Sequence, residues 1–333
     1  VQHAAEVVHM DEHPVEALRK KRDNSMRVAL ERLHGGDAGA FVSAGNSGAA
    51  MASAVMVLGN LTGVDRPAIA LEIPSTKNPV ILLDAGANVE CAPLNLVQFA
   101  VMGDALARTV RGVRSPRIGI LSNGEEDTKG TDTTRAAAQA LRQMRLNFVG
   151  YIEGRDINAG TVDVAVTDGF TGNVVLKTME GFARFMEFNL RGMFTANWRT
   201  KLGYILLRKQ VEKLKHTLDY DAVGGAPLLG VNGVAIIAHG SSSAWAIQNA
   251  IRVAADAAAR NVNGYIQEGL RSVPEMAVSS GAEKRRLKLW RRLQERFRAS
   301  RDGHGPPPAV DDDAVGPAEP GPPTEEPPTN KGS

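Results

Sequence analysis

Asp168, Asn173 and Lys177 stand close together in the sequence DGFTGNVVLK. Apolar residues that alternate precede Asp168 and apolar residues at helical spacing follow Asn173, so Gly169 and Gly172 belong to a turn from a strand into a helix. Such a turn presents unpaired N–H groups and the positive end of a helix dipole to one point, which is an anion-binding arrangement. Lys177 lies about one turn into the helix, where its ammonium group could stabilise charge or carry a proton.

A second turn of the same kind occurs in the sequence SAGNSGA, where Gly45, Asn46, Ser47 and Gly48 connect a short strand to an alanine-rich helix. This turn is also suited to hold a phosphate group. An ordinary strand-to-helix connection of an open sheet is the alternative interpretation of either turn on its own. Because the same kind of turn occurs twice in the chain, we favour the interpretation that these turns bind phosphate.

Other polar residues follow predicted strands. These are Asp84, Asn88, His239 and Ser241. Strands alternate with helices along the chain, which predicts an α/β fold with a doubly wound parallel sheet between two helical layers. Ligands bind at the carboxyl ends of the strands in such sheets, so we expect His239 to share one cleft with Asn46 and Asp168. Like Lys177, His239 is a candidate for stabilising charge or carrying a proton. The alternatives are that the acids cap helices and that the histidine is structural.

Three helical segments are predicted, and the last of them has a surface suited to binding a membrane or a second copy of the chain. Single helices are predicted over residues 14–33 and 244–270, and a protruding pair of helices over residues 184–219. The tip of the pair combines apolar residues with several arginines and lysines, which is typical of a helix that docks on an anionic membrane. The alternative is a dimer contact. The apolar residues expected to bind the membrane are Trp198, Leu202, Ile205 and Leu206.

Composition excludes several classes of protein. The chain has 333 residues, 43% of them hydrophobic and 5% aromatic, which is enough for a large core of small aliphatic side chains. The net charge of +2 argues against a nucleic-acid binder. Cys91 is the single cysteine, which excludes an internal disulfide and favours a reducing compartment, and it is expected to be buried rather than reactive. No histidine or cysteine cluster has metal spacing and no dinucleotide fingerprint follows a strand, so no metal or cofactor is predicted.

The end of the chain differs in composition from the rest. Residues 279–300 are strongly basic with an apolar stripe, which predicts an amphipathic helix and a second candidate for membrane binding. Residues 301–333 are rich in proline, glycine and acidic residues, which predicts a disordered and dispensable tail. The acidic tail could instead neutralise the basic helix.

Seven motifs in order resemble the PlsX family of bacterial phosphate acyltransferases: SAGNSGA, LLDAGANVECAP, SNGEEDTKG, EGRDI, DGFTGNVVLKTMEG, GGAPLLGVNG and IIAHGSSSAWAI. The resemblance implies one acyltransferase domain over residues 1–272, with an α/β/α sandwich similar to that of isocitrate and isopropylmalate dehydrogenases. It also implies a homodimer. The family's usual first strand and its DAMGGD-type loop have no counterpart here, so an N-terminal portion is expected to be missing.

The resemblance implies a reaction and its partners. Long-chain acyl carrier protein (acyl-ACP) and inorganic phosphate would give acyl phosphate and free ACP, and the product would pass to the membrane glycerol-3-phosphate acyltransferase of phospholipid synthesis. The enzyme would be cytoplasmic and peripherally associated with the inner membrane. Two alternatives stay open: a phosphate acetyltransferase-like enzyme that uses acetyl-CoA, and a truncated, inactive protein that binds ACP or membrane.

Overall fold

A computed structural model describes residues 1–218 and 224–273 of the chain. The basic helix predicted over residues 279–300 and the tail predicted over 301–333 lie outside the described residues. An eight-stranded sheet forms the centre of the described part, in the order β1-β8-β7-β2-β3-β6-β4-β5. The strands are β1 Phe41–Ser43, β2 Ala68–Ile73, β3 Val80–Leu83, β4 Ile118–Leu121, β5 Phe148–Ile152, β6 Val164–Val166, β7 Ala226–Leu229 and β8 Ala235–Ile237.

The sheet is mixed, so the prediction of a parallel sheet with a single carboxyl edge is wrong. β3, β6, β4 and β5 are mutually parallel and β1 is parallel to β8, but β2 pairs antiparallel with β3 and β7, and β7 pairs antiparallel with β8. The reason lies in the connections. Residues 74–79 join β2 to β3 and residues 230–234 join β7 to β8, and such short links form hairpins, whereas parallel neighbours need a long crossover.

Helices cover both faces of the sheet, as the doubly wound α/β prediction requires. Ile81 and Leu83 of β3 pack in one cluster with α4 and α5. Val80 and Leu82 pack on the opposite face, in a cluster with α7. The helices are α1 Pro14–Lys20, α2 Ser25–His34, α3 Ser47–Leu58, α4 Pro93–Thr109, α5 Asp132–Leu141, α6 Gly154–Ala159, α7 Gly169–Thr195, α8 Trp198–Leu218, α9 Ala244–Ala259 and α10 Val262–Leu270.

Two predicted helices are each divided in two. The helix predicted over residues 14–33 breaks before Asn24, whose side chain accepts a hydrogen bond from Arg27 N–H and starts α2. The helix predicted over 244–270 breaks at Asn261, which has a left-handed φ of 50° and separates α9 from α10. An asparagine tolerates both roles better than most side chains.

The helical pair predicted over residues 184–219 consists of the last part of α7, residues 184–195, together with α8. Within α7, the buried residues are Gly169 and Gly172, both in its first turn. The remainder of α7 carries large apolar side chains in solvent, among them Phe185 and Phe188. The pair therefore extends from the sheet with an apolar surface that no described residue covers.

Candidate active site

Asp84, at the carboxyl end of β3, is a fully buried carboxylate that organises the loop after it. One oxygen, Oδ1, accepts hydrogen bonds from the N–H groups of Ile69, Gly86 and Ala87, and Oδ2 accepts from the N–H and the side-chain amide of Asn88. Burial raises the pKa of Asp84, and these donors oppose the rise. The side chains of Asp84 and Asn88 are thus used inside the protein and do not face a substrate.

The start of α7 packs directly on that loop. Gly169 N–H donates to the Asn88 carbonyl at 2.7 Å, and a Cβ at Gly169 would lie 2.6 Å from the same oxygen. At Gly172 a Cβ would collide with the carbonyl oxygen of Asp84. Both glycines are therefore required for the close approach of helix and loop.

Asp168 caps α7 with both of its carboxylate oxygens. Oδ1 accepts from Thr171 N–H and Oδ2 accepts from the Thr171 hydroxyl, each at 2.8 Å. Because Gly169 and Gly172 also donate to carbonyls, Phe170 is the residue in this turn whose N–H has no acceptor among the described residues. The anion site predicted at this helix start is thus reduced to one free N–H group and the helix dipole.

Asn173 and Lys177 follow on the exposed side of α7. Asn173 lies beside Gly86, where a Cβ added to the glycine would be 3.6 Å from the Asn173 Cβ. The Lys177 ammonium group pairs with Glu180 on the same helix at 3.0 Å, and its side chain is 55% exposed. The structure therefore places Lys177 in a surface ion pair.

A crevice of about 400 Å³ opens next to the start of α7. It lies at the carboxyl ends of β3, β6 and β4, where α4 and α5 continue on one face of the sheet and α7 on the other. Such a change of face is the usual position of a ligand site in an open sheet. The lining residues are Val89, Glu90, Cys91, Leu96, Thr131, Thr133, Thr134, Asp168, Phe170 and Thr171.

Three helices begin at this crevice, because its lining comes from the N-caps and first turns of α5 and α7, from the segment before α4 and from Leu96 in the first turn of α4. Thr131 caps α5 by accepting a hydrogen bond from Thr134 N–H, which leaves the N–H groups of Asp132 and Thr133 without acceptors among the described residues. Three positive dipole ends and several free N–H groups thus converge on one cavity. This arrangement can stabilise negative charge that develops on a bound group.

Cys91 lines the crevice but is not poised as a nucleophile. Its burial raises the pKa of the thiol to about 12, and the nearby Asp84 carboxylate contributes to the rise. A thiol with that pKa is almost entirely protonated at neutral pH, and thiolate is the reactive form. The prediction that Cys91 is unreactive agrees with this environment.

Arg66 contacts a residue of the crevice lining, and Lys129 precedes another in the sequence; neither was among the predicted site residues. Arg66 is half-buried and its Nη1 donates to the carbonyl of Glu90, 3.4 Å away. Lys129 lies in the loop before α5 and is exposed. Neither forms an ion pair among the described residues. Sequence reasoning passed over Arg66 because it precedes a strand, where no pattern marks a binding residue.

The predicted residues after β1 lie at the other edge of the sheet. Asn46 is buried there, and its amide donates to the carbonyls of His9, Met10 and Glu12 while its oxygen accepts from Ala49 N–H. Its side chain therefore ties the N-terminal segment to α3. A Cβ at Gly45 would meet Met26 at 2.5 Å and one at Gly48 would meet Pro14 at 2.7 Å, so these glycines also serve packing. Ser47 is half-buried.

His239 lies near this group and not near Asp168. β8 is parallel to β1, and it runs in the opposite direction to β6. The two strands are four positions apart in the sheet, a distance of roughly 19 Å at the usual spacing between strands. The prediction that His239 shares a cleft with Asp168 is wrong, because the hairpins reverse the sheet between them. His239 is exposed, and its Nδ1 lies 2.6 Å from the Ser241 hydroxyl oxygen.

Comparison with known proteins assigns the chain to a family. A family model described as "Fatty acid synthesis protein" matches residues 1–264. The phosphate acyltransferase of Anaeromyxobacter sp. (strain Fw109-5) is 54% identical over 283 residues, which are 85% of this chain and 78% of that protein. The chain belongs to the PlsX family of phosphate acyltransferases. That of Geobacter sp. (strain M21) is 50% identical over 270 residues, covering 81% of this chain and 77% of that protein.

Membership in the PlsX family confirms the resemblance carried by the seven motifs and makes the chain an acyltransferase. Solved structures that partly match the chain include EutD phosphotransacetylase from Staphylococcus aureus, with 17% identity, coverage of 73% of this chain and 69% of that one, and a TM-score of 0.45. Another is a branched-chain phosphotransacylase from Enterococcus faecalis, with 10% identity, coverage of 75% and 97%, and a TM-score of 0.44. The similarity to isocitrate dehydrogenases stays a prediction.

Two further properties of this PlsX-family chain bear on its function. Within the described ranges, 1–218 and 224–273, no group of histidine, cysteine and acidic side chains is arranged to hold a metal ion. No helix in the same part of the chain is both long and apolar enough to cross a bilayer.

Proposed function

We propose that this chain transfers a long-chain acyl group from the thioester of acyl-ACP to inorganic phosphate. The observation that carries the proposal is the crevice on which α4, α5 and α7 converge at their N-termini. Phosphate and the oxyanion formed from a thioester carbonyl are both negative, and both are stabilised by free N–H groups and helix dipoles. We place the reaction in this crevice.

The chemistry needs no covalent intermediate on the protein. A phosphate oxygen attacks the thioester carbonyl, a C–O bond forms and the C–S bond breaks, and the thiolate of ACP leaves and takes up a proton. The free N–H groups of Phe170, Asp132 and Thr133 are assigned to the charge on the carbonyl oxygen. The protonated Cys91 thiol does not compete with phosphate as a nucleophile.

Arg66 is assigned to the phosphate, because guanidinium groups bind phosphate oxygens in a fixed, charge-assisted geometry. We expect Arg66→Ala to raise KM for phosphate about tenfold or more, because the variant loses one charged hydrogen bond to the phosphate. KM for the acyl donor should change little. Steady-state kinetics with each substrate varied in turn measures both constants. Arg114→Ala is the matched control, since Arg114 is an exposed arginine beyond the far end of α4. Equal phosphate KM values in the two variants would refute the assignment.

The residues predicted to be catalytic receive different roles. Asp168 is assigned to positioning, since both oxygens cap α7. Asn173 and Lys177 are not in the lining of the crevice and receive no role in the transfer. The pair of His239 and Ser241 marks the competing location for the phosphate, at the carboxyl ends of β1 and β8, where α3 and α9 begin. If His239→Ala lost turnover while Arg66→Ala stayed active, the phosphate site would be assigned to that edge of the sheet instead.

A long-chain donor is favoured over acetyl-CoA by the apolar surface of the helical pair. Trp198, Leu202, Ile205 and Leu206 are exposed by between 52% and 76%, and an arginine, Arg199, lies 5.5 Å over the Trp198 ring. An apolar surface flanked by cations suits the boundary between lipid headgroups and acyl chains. We therefore propose that the protein is cytoplasmic and binds the inner membrane reversibly through α8, where the membrane glycerol-3-phosphate acyltransferase would take its acyl phosphate.

We expect Leu206→Glu to weaken binding to anionic vesicles about tenfold or more, because burying one leucine contributes roughly 1.5–3 kcal/mol. Co-sedimentation with phosphatidylglycerol vesicles at low and high salt measures the change. Val149→Glu, which places the same charge on an exposed apolar residue of β5, is the matched control. If the two variants sediment equally with vesicles, α8 is not the membrane anchor.

We propose in addition that the chain forms a homodimer. Phe185 and Phe188 of α7 are 60% and 77% exposed, and they occupy a different stretch of the helical pair from the α8 residues assigned to the membrane. Side chains of this size are usually covered by a partner. A second copy of the chain would cover them by packing α7 against its own equivalent.

A further inference from the structure

We propose that Asn95, a buried asparagine in the first turn of α4, is a positioning residue for the phosphate substrate, because it holds the carboxylate of Asp65 away from the guanidinium of Arg66. The inference rests on the proposed function, which assigns Arg66 to the phosphate, and it adds the residue that keeps this charge available. Asp65 and Arg66 are adjacent in the sequence, so a free Asp65 carboxylate would compete with phosphate for the guanidinium.

Asn95 uses both ends of its side-chain amide and is 1% exposed. Its Oδ1 accepts a hydrogen bond from Ala92 N–H at 2.8 Å, which caps the start of α4. Its Nδ2 donates to Asp65 Oδ2, also at 2.8 Å. Because both ends of the buried amide are satisfied, its orientation is fixed. The Asp65 carboxylate is therefore held against the first turn of α4.

The backbone around Asp65 is held by two more side-chain amides. Gln98 of α4, 3% exposed, accepts from Asp65 N–H at 3.0 Å and donates to the carbonyl of Gly63 at 2.7 Å. Asn60 donates to the Asp65 carbonyl at 2.9 Å. Amides carry no charge, so these two side chains fix the segment before Arg66 without giving its guanidinium a counter-charge.

The guanidinium of Arg66 is left without a carboxylate. Among the described residues its hydrogen bond goes to the carbonyl of Glu90, 3.4 Å from Nη1, and neither Arg66 nor Asp65 forms an ion pair there. Arg66 is close enough to the crevice to act on Cys91, a lining residue: burial raises the pKa of this thiol to about 12, and the charge of Arg66 opposes the rise. A half-buried cation in this position suits an incoming phosphate.

Exchanging Asn95 for aspartate isolates the positioning role. The variant keeps an oxygen to accept from Ala92 N–H, and the helix dipole favours a carboxylate at the start of a helix. It loses the donor to Asp65 and places two carboxylates side by side, where they repel each other. Asp65 is then expected to turn toward Arg66 and to neutralise its charge.

We expect Asn95→Asp to raise KM for phosphate about three- to tenfold, while kcat and KM for palmitoyl-ACP change less than about twofold. Steady-state kinetics of the full-length chain at pH 8, which favours the charged form of both carboxylates, measures these constants. The control, Asn147→Asp, makes the same exchange at an exposed asparagine whose amide donates to the Ser115 carbonyl. The control should behave as the wild type.

A second exchange, Asp65→Ala, separates competition for charge from structural damage. In the Asn95→Asp background it removes the competing carboxylate but does not restore the lost hydrogen bond. We expect the double variant to regain the wild-type phosphate KM within about twofold, whereas a defect in packing would persist. A phosphate KM that Asn95→Asp leaves unchanged, or that Asp65→Ala fails to restore, would overturn the positioning role. The proposed reaction would stay intact if Arg66→Ala still raised the phosphate KM.

A binding measurement separates this inference from the reaction itself. Isothermal titration with inorganic phosphate, without an acyl donor, gives Kd for the wild type, Arg66→Ala, Asn95→Asp and the double variant. Weaker binding in the two single variants, restored in the double variant, would support the inference even if the wild type transferred no acyl group. Phosphate binding that Arg66→Ala weakens and Asn95→Asp leaves unchanged would overturn the inference alone.

Discussion

Replacing Gly172 with alanine is expected to lower the free energy of unfolding by about 3 kcal/mol and to abolish turnover. The added Cβ collides with the carbonyl oxygen of Asp84 and comes within 3.2 Å of Thr167 Cγ2. The backbone cannot easily yield, because Asp84 N–H donates to Thr167 O at 3.0 Å and Thr167 N–H donates to Leu83 O at 2.6 Å. Relief requires the first turn of α7 to leave the crevice.

The measurement is urea unfolding followed by circular dichroism, with phosphate-dependent activity measured in parallel. Gly181→Ala is the matched control on the same helix, since a Cβ there would meet no atom within 4 Å. The control should be stabilised by roughly 0.5–1 kcal/mol, because alanine is favoured over glycine inside a helix. Wild-type stability and activity in Gly172→Ala would contradict the packing described for α7.

Replacing Asp84 with alanine should lower the free energy of unfolding by about 3–5 kcal/mol. Its two oxygens accept the hydrogen bonds of four backbone N–H groups and one side-chain amide, and the residue is fully buried. Removing the carboxylate leaves those five donors, all buried or partly buried, without their acceptor. The loop after β3 is then expected to lose its conformation, and with it one wall of the crevice.

Thermal and urea unfolding of Asp84→Ala tests this expectation. Asp132→Ala is the control, because Asp132 pairs with Arg135 at the surface and its side chain is 99% exposed. Exposed ion pairs contribute less than about 1 kcal/mol, so the control should stay close to the wild type. A similar small loss in both variants would show that Asp84 does not hold the loop.

The local turn chemistry could be predicted from sequence. The strand and the helix around Asp168 are present, but α7 begins at Gly169 with Asp168 as its cap, so the two glycines lie in its first turn and not in a turn before it. Short-range signals suffice there, because capping and glycine backbone freedom depend on a few consecutive residues. The same signals did not reveal that Gly169 and Gly172 face a loop that is distant in sequence.

The direction of the strands could not be predicted in the same way. The alternation of strands and helices favours a parallel sheet, and it dominated the prediction although residues 74–79 and 230–234 are too short for crossovers. The resulting reversal separates Asn46 and His239 from Asp84 and Asp168. A prediction that placed all strand ends in one cleft failed for this reason, and attention to the length of each connection would have corrected it.

The residues that line the crevice could not be predicted from sequence patterns either. Thr133 and Phe170 come from segments that share no periodicity, and they line one crevice because α5 and α7 begin at the same edge of the sheet. Arg66 reaches the same crevice from the segment before β2, through the carbonyl of Glu90. Asn46 illustrates the converse: its position in the sequence suggests a ligand contact, but three carbonyls of the N-terminal segment occupy its amide. Tertiary contacts decide which polar groups remain free.

One measurement tests the central proposal most directly. The purified chain is incubated with palmitoyl-ACP, with and without inorganic phosphate, and free thiol and acyl phosphate are quantified, with acetyl-CoA as a parallel donor. We predict phosphate-dependent release of ACP thiol in equal amount to acyl phosphate, and little product from acetyl-CoA. Turnover of acetyl-CoA alone would indicate a phosphate acetyltransferase, and absence of thiol release from either donor, with ACP or vesicles still bound, would indicate a binding protein and contradict the proposal.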